Sequence, residues 1–342
     1  MNQHHPIVVS HQVSLKPYHT FGMEVKARDF TELLHEQELP AILKLISQYQ
    51  GPVLLMGGGS NMLFTKDFDG LVVKISTRGI EIVEEDEDFV YVRGMAGENW
   101  DDFVQFCVSR NLGGLENLSL IPGNVGSSPI QNIGAYGAEI RDSFYMLDAI
   151  SLRTGEFREF FAAECDFGYR HSIFKGELKG KYLILSVTFR LKRNPELNTS
   201  YGAIAAELVA CGETHSVKSV AAAVCRIRRS KLPDPEELGN AGSFFKNPVI
   251  SDKQFFELKQ HYPAIASFPA DGGVKLAAGW LIEQCGWKGF REGDAGVHAK
   301  QALVLVNYGN ATGTQVHALA MRIIDSVKAK FGVQLEPEVN VY

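Results

Sequence analysis

The most informative stretch of this chain is IPGNVGSSPIQNIGAYG, residues 121–137. It lies within a run of 22 uncharged residues, from Asn117 to Ala138, that carries small hydroxyls at Ser127 and Ser128. A solvated linker normally carries charges, so this composition predicts backbone packed closely against a polar group. If that group is a phosphate, the lack of acidic side chains avoids repulsion. A loop buried between domains for packing alone is the alternative.

A second glycine-rich segment, MGGGSN at residues 56–61, directly follows a predicted strand. Its glycines allow successive backbone N–H groups to point into one cavity, which can hold a phosphate without a positively charged protein. The segment lacks the spacing of the dinucleotide fingerprint G-x-G-x-x-G, and no Walker lysine follows it. The pattern alone therefore leaves a tight turn and a phosphate cradle equally open.

Composition sets the class of protein and excludes some partners. The chain has 342 residues, 45% apolar and 22% charged, which predicts about two globular domains. Its net charge of −6 disfavours nucleic acid as a partner, so an anionic ligand must be held locally. Of the 33 glycines, 14 lie between residues 51 and 137, with both glycine-rich segments.

Cysteine spacing and the N-terminus indicate the compartment. The five cysteines include no C-x-x-C pair, so they predict reduced thiols rather than disulfides or a metal site. No basic residue precedes Lys16, which disfavours a signal peptide. Pro122 and Pro129 interrupt the uncharged run, which disfavours a membrane span. We therefore expect a cytoplasmic protein with no membrane partner. We also expect a monomer, although none of these features bears on the oligomeric state.

Hydrophobic periodicity predicts mixed helix and strand content, with a domain boundary near residue 193. Asn99 is a suitable N-cap for a helix that begins at Trp100. The predicted helices are Ala41–Tyr49, Trp100–Arg110, Val217–Arg229, Asp252–His261, Val274–Cys285 and Thr314–Phe331. The predicted strands are Pro52–Met56, Leu71–Ile75, Ile80–Val83, Phe89–Arg93, Tyr182–Arg190, Ala302–Val306 and Val333–Val341.

Six motifs occur in an order and spacing that closely resemble one enzyme family. They are GGGSN at 57–61, GLENLSLIPGNVGSSPIQNIGAYG at 114–137, FGYRHSIFK at 167–175, KLPDP at 231–235, NAGSFFKNP at 240–248 and LEPEV at 335–339. The chain resembles the type I UDP-N-acetylenolpyruvoylglucosamine reductases of bacterial peptidoglycan synthesis from about residue 15 to its end.

The resemblance implies an α+β chain that begins with an extension and lead-in segment at residues 1–22. An FAD-binding fold of the vanillyl-alcohol-oxidase (PCMH) type would occupy residues 23–193. An α/β substrate-binding domain would occupy residues 194–342, with the last strand returning Glu338 to the active site. The implied reaction is reduction of the UDP-sugar enolpyruvyl ether to UDP-N-acetylmuramate by non-covalent FAD and NADPH, with no metal.

The chemistry of this reaction fits three residues of the motifs. Reducing an enol ether conjugated to a carboxylate leaves negative charge beside that carboxylate, so the site needs a cation and an acid. By resemblance, Arg170 supplies the cation, Ser243 donates the proton and Glu338 helps to stabilise the charge. Periodicity alone leaves Glu336 as an alternative to Glu338, because both lie on one face of an extended segment.

Further roles follow from the resemblance alone. The residues that would bind FAD are Gly57, Gly58, Gly59, Ser60, Asn61, Ser127, Ser128, Ile130, Ile133, Gly134 and Arg228. Those that would bind the UDP-sugar are Tyr169, Tyr201, Lys231, Asn247, Lys288 and Gln301. Asn340 stands where the family often has a basic residue, which leaves a flavin contact there open.

Two other functions remain open from the sequence. A flavin oxidase or dehydrogenase with a different substrate would keep the FAD-binding part. A nucleotide-sugar-binding protein without activity would keep the motifs by descent only. The reductase is favoured because the motifs continue through the second half of the chain, to residue 339.

Overall fold

The computed structural model describes residues 7–201 and 203–342. Part of the predicted N-terminal extension, residues 1–6, and Gly202 lie outside the described residues. The helices of the described part are α1 (Leu39–Gln48), α2 (Trp100–Ser109), α3 (Ile204–Ala210), α4 (Val217–Lys231), α5 (Asp252–His261), α6 (Ala278–Gln284) and α7 (Gly313–Phe331).

The strands of the first half are β1 (Ser10–Ser14), β2 (Lys26–Leu33), β3 (Val53–Met56), β4 (Met62–Leu63), β5 (Phe68–Ile75), β6 (Ile80–Glu85), β7 (Phe89–Met95), β8 (Gly134–Ala135), β9 (Ala138–Glu139), β10 (Phe144–Ser151) and β11 (Phe157–Phe161). Those that follow are β12 (Tyr182–Lys192), β13 (Gly239–Ser243), β14 (Val249–Ile250), β15 (Ser267–Ala270), β16 (Gly273–Leu276), β17 (Arg291–Glu292), β18 (Ala295–Val297), β19 (Val304–Asn307) and β20 (Asn340–Val341).

The chain divides into two compact units. The first unit comprises the chain up to Val13 with Ala27–Gly58 and Asp69–Ser230, and the second comprises Ser14–Lys26, Gly59–Phe68 and Lys231–Tyr342. We predicted a single boundary near residue 193. The difference arises because α4 buries apolar side chains in the first unit, while residues 14–26 and 59–68 contribute to the core of the second.

The first unit contains two larger sheets. One has the strand order β1-β2-β5-β3, in which β3 and β5 are parallel. The other has the order β11-β10-β12-β7-β6 and is antiparallel. Helix α2 covers the second sheet with Trp100, Phe103 and Val104, and each such buried side chain contributes about 1.5–3 kcal/mol. Asn99 caps this helix as predicted, because its side chain accepts bonds from two backbone N–H groups.

The second unit is built around helix α7. Its apolar face packs with the sheet β13-β19-β18-β17 in one buried cluster. Thr312 accepts a bond from the backbone N–H of Gln315 at the start of this helix, and Gly332 ends it with a φ of 65°. The predicted helix over 314–331 is therefore confirmed, with termini set by a capping box and a left-handed glycine.

Two predicted elements of the second unit are wrong in extent. The helix predicted from Val274 begins only at Ala278, because Val274 lies in β16 and pairs with both Ile250 and Pro269. The strand predicted over 333–341 is regular only at β20. Val333, Leu335 and Val339 are buried, which produced the strand pattern. Among the described residues, the part before β20 forms only an isolated bridge, between Phe245 and Pro337.

Two further features concern the cysteines and the helices. All five cysteines are free thiols, and burial raises the pKa of Cys107 and of Cys165 to about 12. Cys211 is the exposed one of the five. Among the described residues, no helix combines the length and apolarity needed to cross a membrane.

Candidate active site

The Gly57–Gly58 turn of the first unit lies against the glycine-rich loop. A Cβ atom added at Gly58 would lie 2.4 Å from Oδ1 of Asn124 and 2.9 Å from Cα of Gly123. A Cβ atom added at Gly57 would lie 3.7 Å from the Cβ atoms of Asn124 and Ser127, which is ordinary contact. Close approach of two backbone segments therefore requires glycine at 58 and tolerates a methyl group at 57.

The glycine-rich loop is ordered by its own hydroxyls. It forms a 3-10 helix over Val125–Gln131, in which the Ser127 and Ser128 hydroxyls each donate to a backbone carbonyl three residues earlier at 2.7 Å. A Cβ atom at Gly126 would lie 2.4 Å from Cβ of Ala96. Packing within the first unit therefore explains Gly126 and the two hydroxyl hydrogens, whereas the alternative left open by the sequence was a loop buried between domains.

The end of this loop meets the arginine of the FGYRHSIFK motif. Nη2 of Arg170 donates to the carbonyl of Gly134 at 2.8 Å. The Ser172 hydroxyl donates to the carbonyl of Ile130 at 2.7 Å. Ile133 packs, partly buried, against the α2 core. The structure thus brings together Ile130, Gly134 and Arg170, which the sequence places up to 40 residues apart.

Arg170 occupies a strained turn. Gly168 and His171 exchange two backbone hydrogen bonds of 3.1 and 3.2 Å, which leaves a two-residue turn between them. Arg170 has a φ of 53° there, a left-handed conformation that costs a residue other than glycine about 1–2 kcal/mol. Tyr169 is 38% exposed, and Cζ of Arg170 lies 5.5 Å from its ring centroid. Such strain at a charged residue is typical of a functional turn.

Arg228 is a half-buried cation of the first unit. Its Nε donates to the carbonyl of Leu120 at 3.1 Å, and its neighbours include the Tyr136 hydroxyl. Burial lowers the pKa of Arg228. Within the described part of the chain, no carboxylate forms an ion pair with it, although the negative charge of Asp101 is near enough to raise its pKa. An arginine in such a position can bind an anionic ligand.

Tyr201 lies beside the same loop. Its ring meets that of Tyr136 edge to face, with centroids 5.8 Å apart. The Asn117 amide joins the two segments by donating to the carbonyls of Tyr136 and Asn198, both at 2.9 Å. Tyr201 remains 48% exposed, so it can reach a ligand.

In the second unit, Ser243 ends β13 after an irregularity in the strand. The register of β13 against β19 shifts between Asn240 and Ser243, and Gly242 has a φ of 68°. The Gly242 N–H donates to Oδ1 of Asn240 at 2.8 Å. This bulge exposes Ser243, while Phe244 is fully buried.

The LEPEV segment pairs with the residues that follow Ser243. The Glu338 N–H donates to the carbonyl of Phe244 at 2.8 Å, and the Lys246 N–H donates to the carbonyl of Glu336 at 3.0 Å. The Glu336 carboxylate also meets Nζ of Lys246 at 3.4 Å and is 72% exposed, whereas Glu338 is half-buried. The geometry therefore distinguishes the two glutamates that periodicity left equivalent, and it puts Glu338 one residue from Ser243 across the pairing.

The Gly59–Asn61 end of the first motif lies in the second unit, next to Glu338. Nδ2 of Asn61 donates to the carbonyl of Glu338 at 3.3 Å. The backbone N–H and the side-chain amide of Asn340 both donate to the carbonyl of Asn61, at 3.1 and 3.0 Å. A Cβ atom at Gly59 would lie 2.1 Å from the carbonyl oxygen of Tyr18. Asn340 thus fixes Asn61, and Ser60 is half-buried between these anchored residues.

Two of the predicted UDP-sugar residues come together at the start of α6. Oδ1 of Asn247 accepts from the Ala278 N–H at 2.9 Å. A Cβ atom at Gly279 would lie 3.1 Å from Oε1 of Gln301. Lys288 forms an ion pair with Glu283 at 3.0 Å, and Lys231 is exposed at the end of α4.

These features of the first unit fit an anionic cofactor. Gly58 has no room for a side chain, the adjoining loop is uncharged, and Arg228 is a half-buried cation beside that loop. Backbone N–H groups beside glycine and a nearby arginine are suited to the phosphates of a dinucleotide.

Sequence and structure comparisons identify the family. A sequence profile described as FAD binding domain matches residues 31–160. A profile described as UDP-N-acetylenolpyruvoylglucosamine reductase, C-terminal domain, matches residues 234–342. The chain is 54% identical to the UDP-N-acetylenolpyruvoylglucosamine reductase of Chromobacterium violaceum, covering 95% of this chain and 96% of that protein. This chain belongs to the UDP-N-acetylenolpyruvoylglucosamine reductase family.

Other members of the family give the same result. The reductase of Pseudomonas putida is 52% identical, covering 97% of this chain and 98% of that protein. The crystal structure of the Thermus caldophilus reductase superposes with a TM-score of 0.66 at 25% identity, covering 98% of this chain and 99% of that one. The predicted α+β architecture, with a PCMH-type FAD-binding fold, is confirmed, and the chain is an FAD-dependent oxidoreductase.

Two residues near the first-unit site were missed from the sequence. Asn124 packs on Gly58 and donates to the carbonyl of Gly97 at 2.5 Å. An asparagine directly before a short helix is an N-cap signal that could have found it. Nζ of Lys74 donates to the carbonyl of Gly57 at 2.7 Å. Lys74 lies in the apolar run LVVKI, where nothing indicates its partner.

Proposed function

We propose that this chain reduces UDP-N-acetylenolpyruvoylglucosamine to UDP-N-acetylmuramate, with NADPH as the hydride donor, in the synthesis of peptidoglycan precursors. The observation that carries this proposal is identity above 50% to named reductases over nearly the whole length of both chains. FAD, when bound, supplies the transfer of a hydride from NADPH to the terminal carbon of the enol ether.

Arg170 stabilises the negative charge that develops beside the substrate carboxylate. Its hydrogen bond to Gly134 and its left-handed backbone support this role, because both fix the guanidinium before the substrate binds. A preorganised cation stabilises a transition state without reorganisation at the moment of reaction. The exposed ring of Tyr169 contacts the substrate beside it.

Ser243 donates the proton that completes the reduction, and Glu338 supports it. A serine hydroxyl is a weak acid, so its role depends on placement. The bulge at Gly242 exposes Ser243, and the backbone bond from Glu338 to Phe244 holds the carboxylate segment beside it. These two observations support the assignment of Glu338 rather than Glu336.

The remaining residues divide between the two ligands. Gly57, Gly58, Gly59, Ser60, Asn61, Ser127, Ser128, Ile130, Ile133, Gly134 and Arg228 hold FAD. Tyr201, Lys231, Asn247, Lys288 and Gln301 hold the UDP-sugar. The FAD profile match within residues 23–193 and the reductase C-terminal match within 194–342 support this division of the chain, which stays a proposal at residue level.

Compartment and assembly belong to the same proposal. Five free thiols are typical of a reducing compartment, which supports the cytoplasm. Because every proposed ligand contact comes from this one chain, a monomer is sufficient for activity. Light scattering of the purified protein tests the monomer.

One experiment separates this function from its rivals. The purified flavoprotein is bleached anaerobically with NADPH and then mixed either with the enol ether or with oxygen. We expect the enol ether to restore the flavin colour faster than oxygen does and to yield UDP-N-acetylmuramate. Faster restoration by oxygen indicates a flavin oxidase, and failure of NADPH to bleach the flavin indicates a protein without this activity.

A further inference from the structure

Lys74 is a half-buried lysine that the proposed reaction does not use. It lies on β5, where it pairs in parallel with Met56, the residue before Gly57. Burial lowers the pKa of its side chain, and the charge of Glu32 partly opposes this effect. Among the residues that the structure describes, no carboxylate comes within ion-pair distance of it. Its hydrogen bond goes to the carbonyl oxygen of Gly57 at 2.7 Å.

This hydrogen bond fixes the direction of the next N–H group. The carbonyl of Gly57 and the N–H of Gly58 belong to one peptide unit, which is trans. In a trans peptide the two groups point in opposite directions. Lys74 therefore holds the Gly58 N–H so that it points away from β5.

The Gly58 N–H is available to a ligand. Across residues 7–201 and 203–342, nothing accepts a hydrogen bond from it. Asn124 and Gly123 leave no room for a Cβ atom at Gly58, so residue 58 lies close against the glycine-rich loop. A backbone donor of this kind, oriented and without an acceptor, suits a phosphate oxygen.

A cation on the carbonyl also strengthens the donor at the other end of the peptide. Hydrogen bonds in a chain polarise one another, and the effect is larger where water is excluded. The ammonium withdraws electron density through the carbonyl, which makes the N–H a better donor to an anion.

We propose that Lys74 is a positioning residue for the FAD pyrophosphate, acting through the Gly57–Gly58 peptide, which it orients and polarises. This inference rests on the proposed placement of FAD at Gly57 and Gly58. It concerns affinity for the cofactor and not the chemistry of the substrate.

The test compares FAD binding in three variants of the full-length holoenzyme. Lys74→Met removes the donor and the charge, Lys74→Gln keeps a donor without the charge, and Lys44→Met removes an exposed lysine of α1 as the matched control. The dissociation constant is measured from free-flavin fluorescence on serial dilution. We expect about a 10-fold increase for Lys74→Met, a smaller one for Lys74→Gln, and less than twofold for Lys44→Met.

A phosphorus spectrum separates positioning from general support of the fold. The ³¹P resonances of the bound pyrophosphate move in Lys74→Met, whereas the visible spectrum of the flavin stays the same. Unchanged FAD affinity, or weaker affinity with unmoved ³¹P resonances, overturns the proposal. If Lys74→Met does not fold, Lys74→Gln is judged by the same two criteria.

These measurements need neither NADPH nor the enol ether. A wild-type protein that holds FAD but does not reduce the enol ether contradicts the proposed function and leaves the role of Lys74 intact. A Lys74 variant with normal FAD binding in an active reductase contradicts only the role of Lys74.

Discussion

The two halves of the GGGSN motif serve the two units in different ways. Gly57 and Gly58 lie in the first unit. Because Gly58 has no side chain, its backbone can lie directly against Gly123 and Asn124 of the glycine-rich loop. Gly59 to Asn61 lie in the second unit, where Asn61 anchors the segment that carries Glu338. The first part of this short motif thus contributes backbone N–H groups of the first unit. Its last part holds the segment that carries Glu338 in the second unit.

The difference extends to each unit's candidate ligands. The first unit offers backbone N–H groups and an uncharged loop, with Arg170 and Arg228 bonded to carbonyls of that loop. The second unit offers side chains on a strand pairing, where a bulge exposes Ser243. An acidic protein can therefore hold a dinucleotide largely through its backbone and keep ionisable side chains for the reacting atoms.

Replacing each of the two glutamates by glutamine tests the second unit and gives the largest expected change in rate. Glu338→Gln should lower the rate at which the enol ether restores the flavin colour by about 10²- to 10⁴-fold, the usual contribution of an acid–base group. Glu336→Gln should change it less than about twofold, because the exposed ion pair with Lys246 contributes little. Stopped-flow reoxidation measures both, and equal effects would remove the distinction between the glutamates.

Adding a methyl group at each of the first two glycines tests the first unit. Gly58→Ala should weaken FAD binding by about 10- to 100-fold, because its Cβ would overlap Asn124 and overpacking costs about 1–3 kcal/mol. Gly57→Ala is the matched control, since its Cβ has ordinary contacts. The affinity is read from flavin fluorescence. A Gly57→Ala variant that is weaker than Gly58→Ala would contradict the packing argument.

The smallest expected effect is a change in the pH dependence of stability, caused by a buried histidine of the second unit. His19 is buried, with its Nε2 atom 3.1 Å from the Met23 carbonyl, and burial lowers its pKa from 6.5. The unfolded chain binds a proton more readily than the folded one, so neutral His19 contributes its stability above about pH 6.5. That contribution is lost as the pH falls from 6.5 through the lowered pKa of the folded state.

Urea unfolding at several pH values measures this contribution. Between about pH 7.5 and pH 5, the wild type should lose more stability than His19→Asn. His261→Asn, which removes an exposed histidine of α5, should follow the wild type. Parallel curves for the wild type and His19→Asn would show that this ring does not contribute to the pH dependence.

Much of the fold was predictable because local signals determine it. The Asn99 cap, the helix over 252–261 and the hairpin between β6 and β7 follow from capping and periodicity. The helix predicted from Val274 failed because pairing with β14 and β15 overrides local spacing. Pairing between distant segments is not encoded in a window of neighbouring residues.

The sequence proposes the residues of the candidate site, and only the structure shows their geometry. The resemblance points to Arg170, Ser243 and Glu338, and the different surroundings of Glu338 and Glu336 arise from a pairing across about 90 residues of chain. The division of the GGGSN motif between two units depends on which core each flanking residue joins. Lys74 was missed because a lysine in an apolar strand reveals its partner only after β3 and β5 pair.

The proton-donor role of Ser243 is the central claim of this account, and one variant tests it most directly. In Ser243→Ala, NADPH should bleach the flavin at the wild-type rate, whereas reoxidation by the enol ether should fall by about 10²- to 10⁴-fold. Ser47→Ala, which removes a hydroxyl bonded to a backbone carbonyl of α1, is the control. The assignment of Ser243 would be contradicted if Ser243→Ala slowed flavin reduction by NADPH and reoxidation by the enol ether equally. It would also be contradicted if reoxidation kept the wild-type rate.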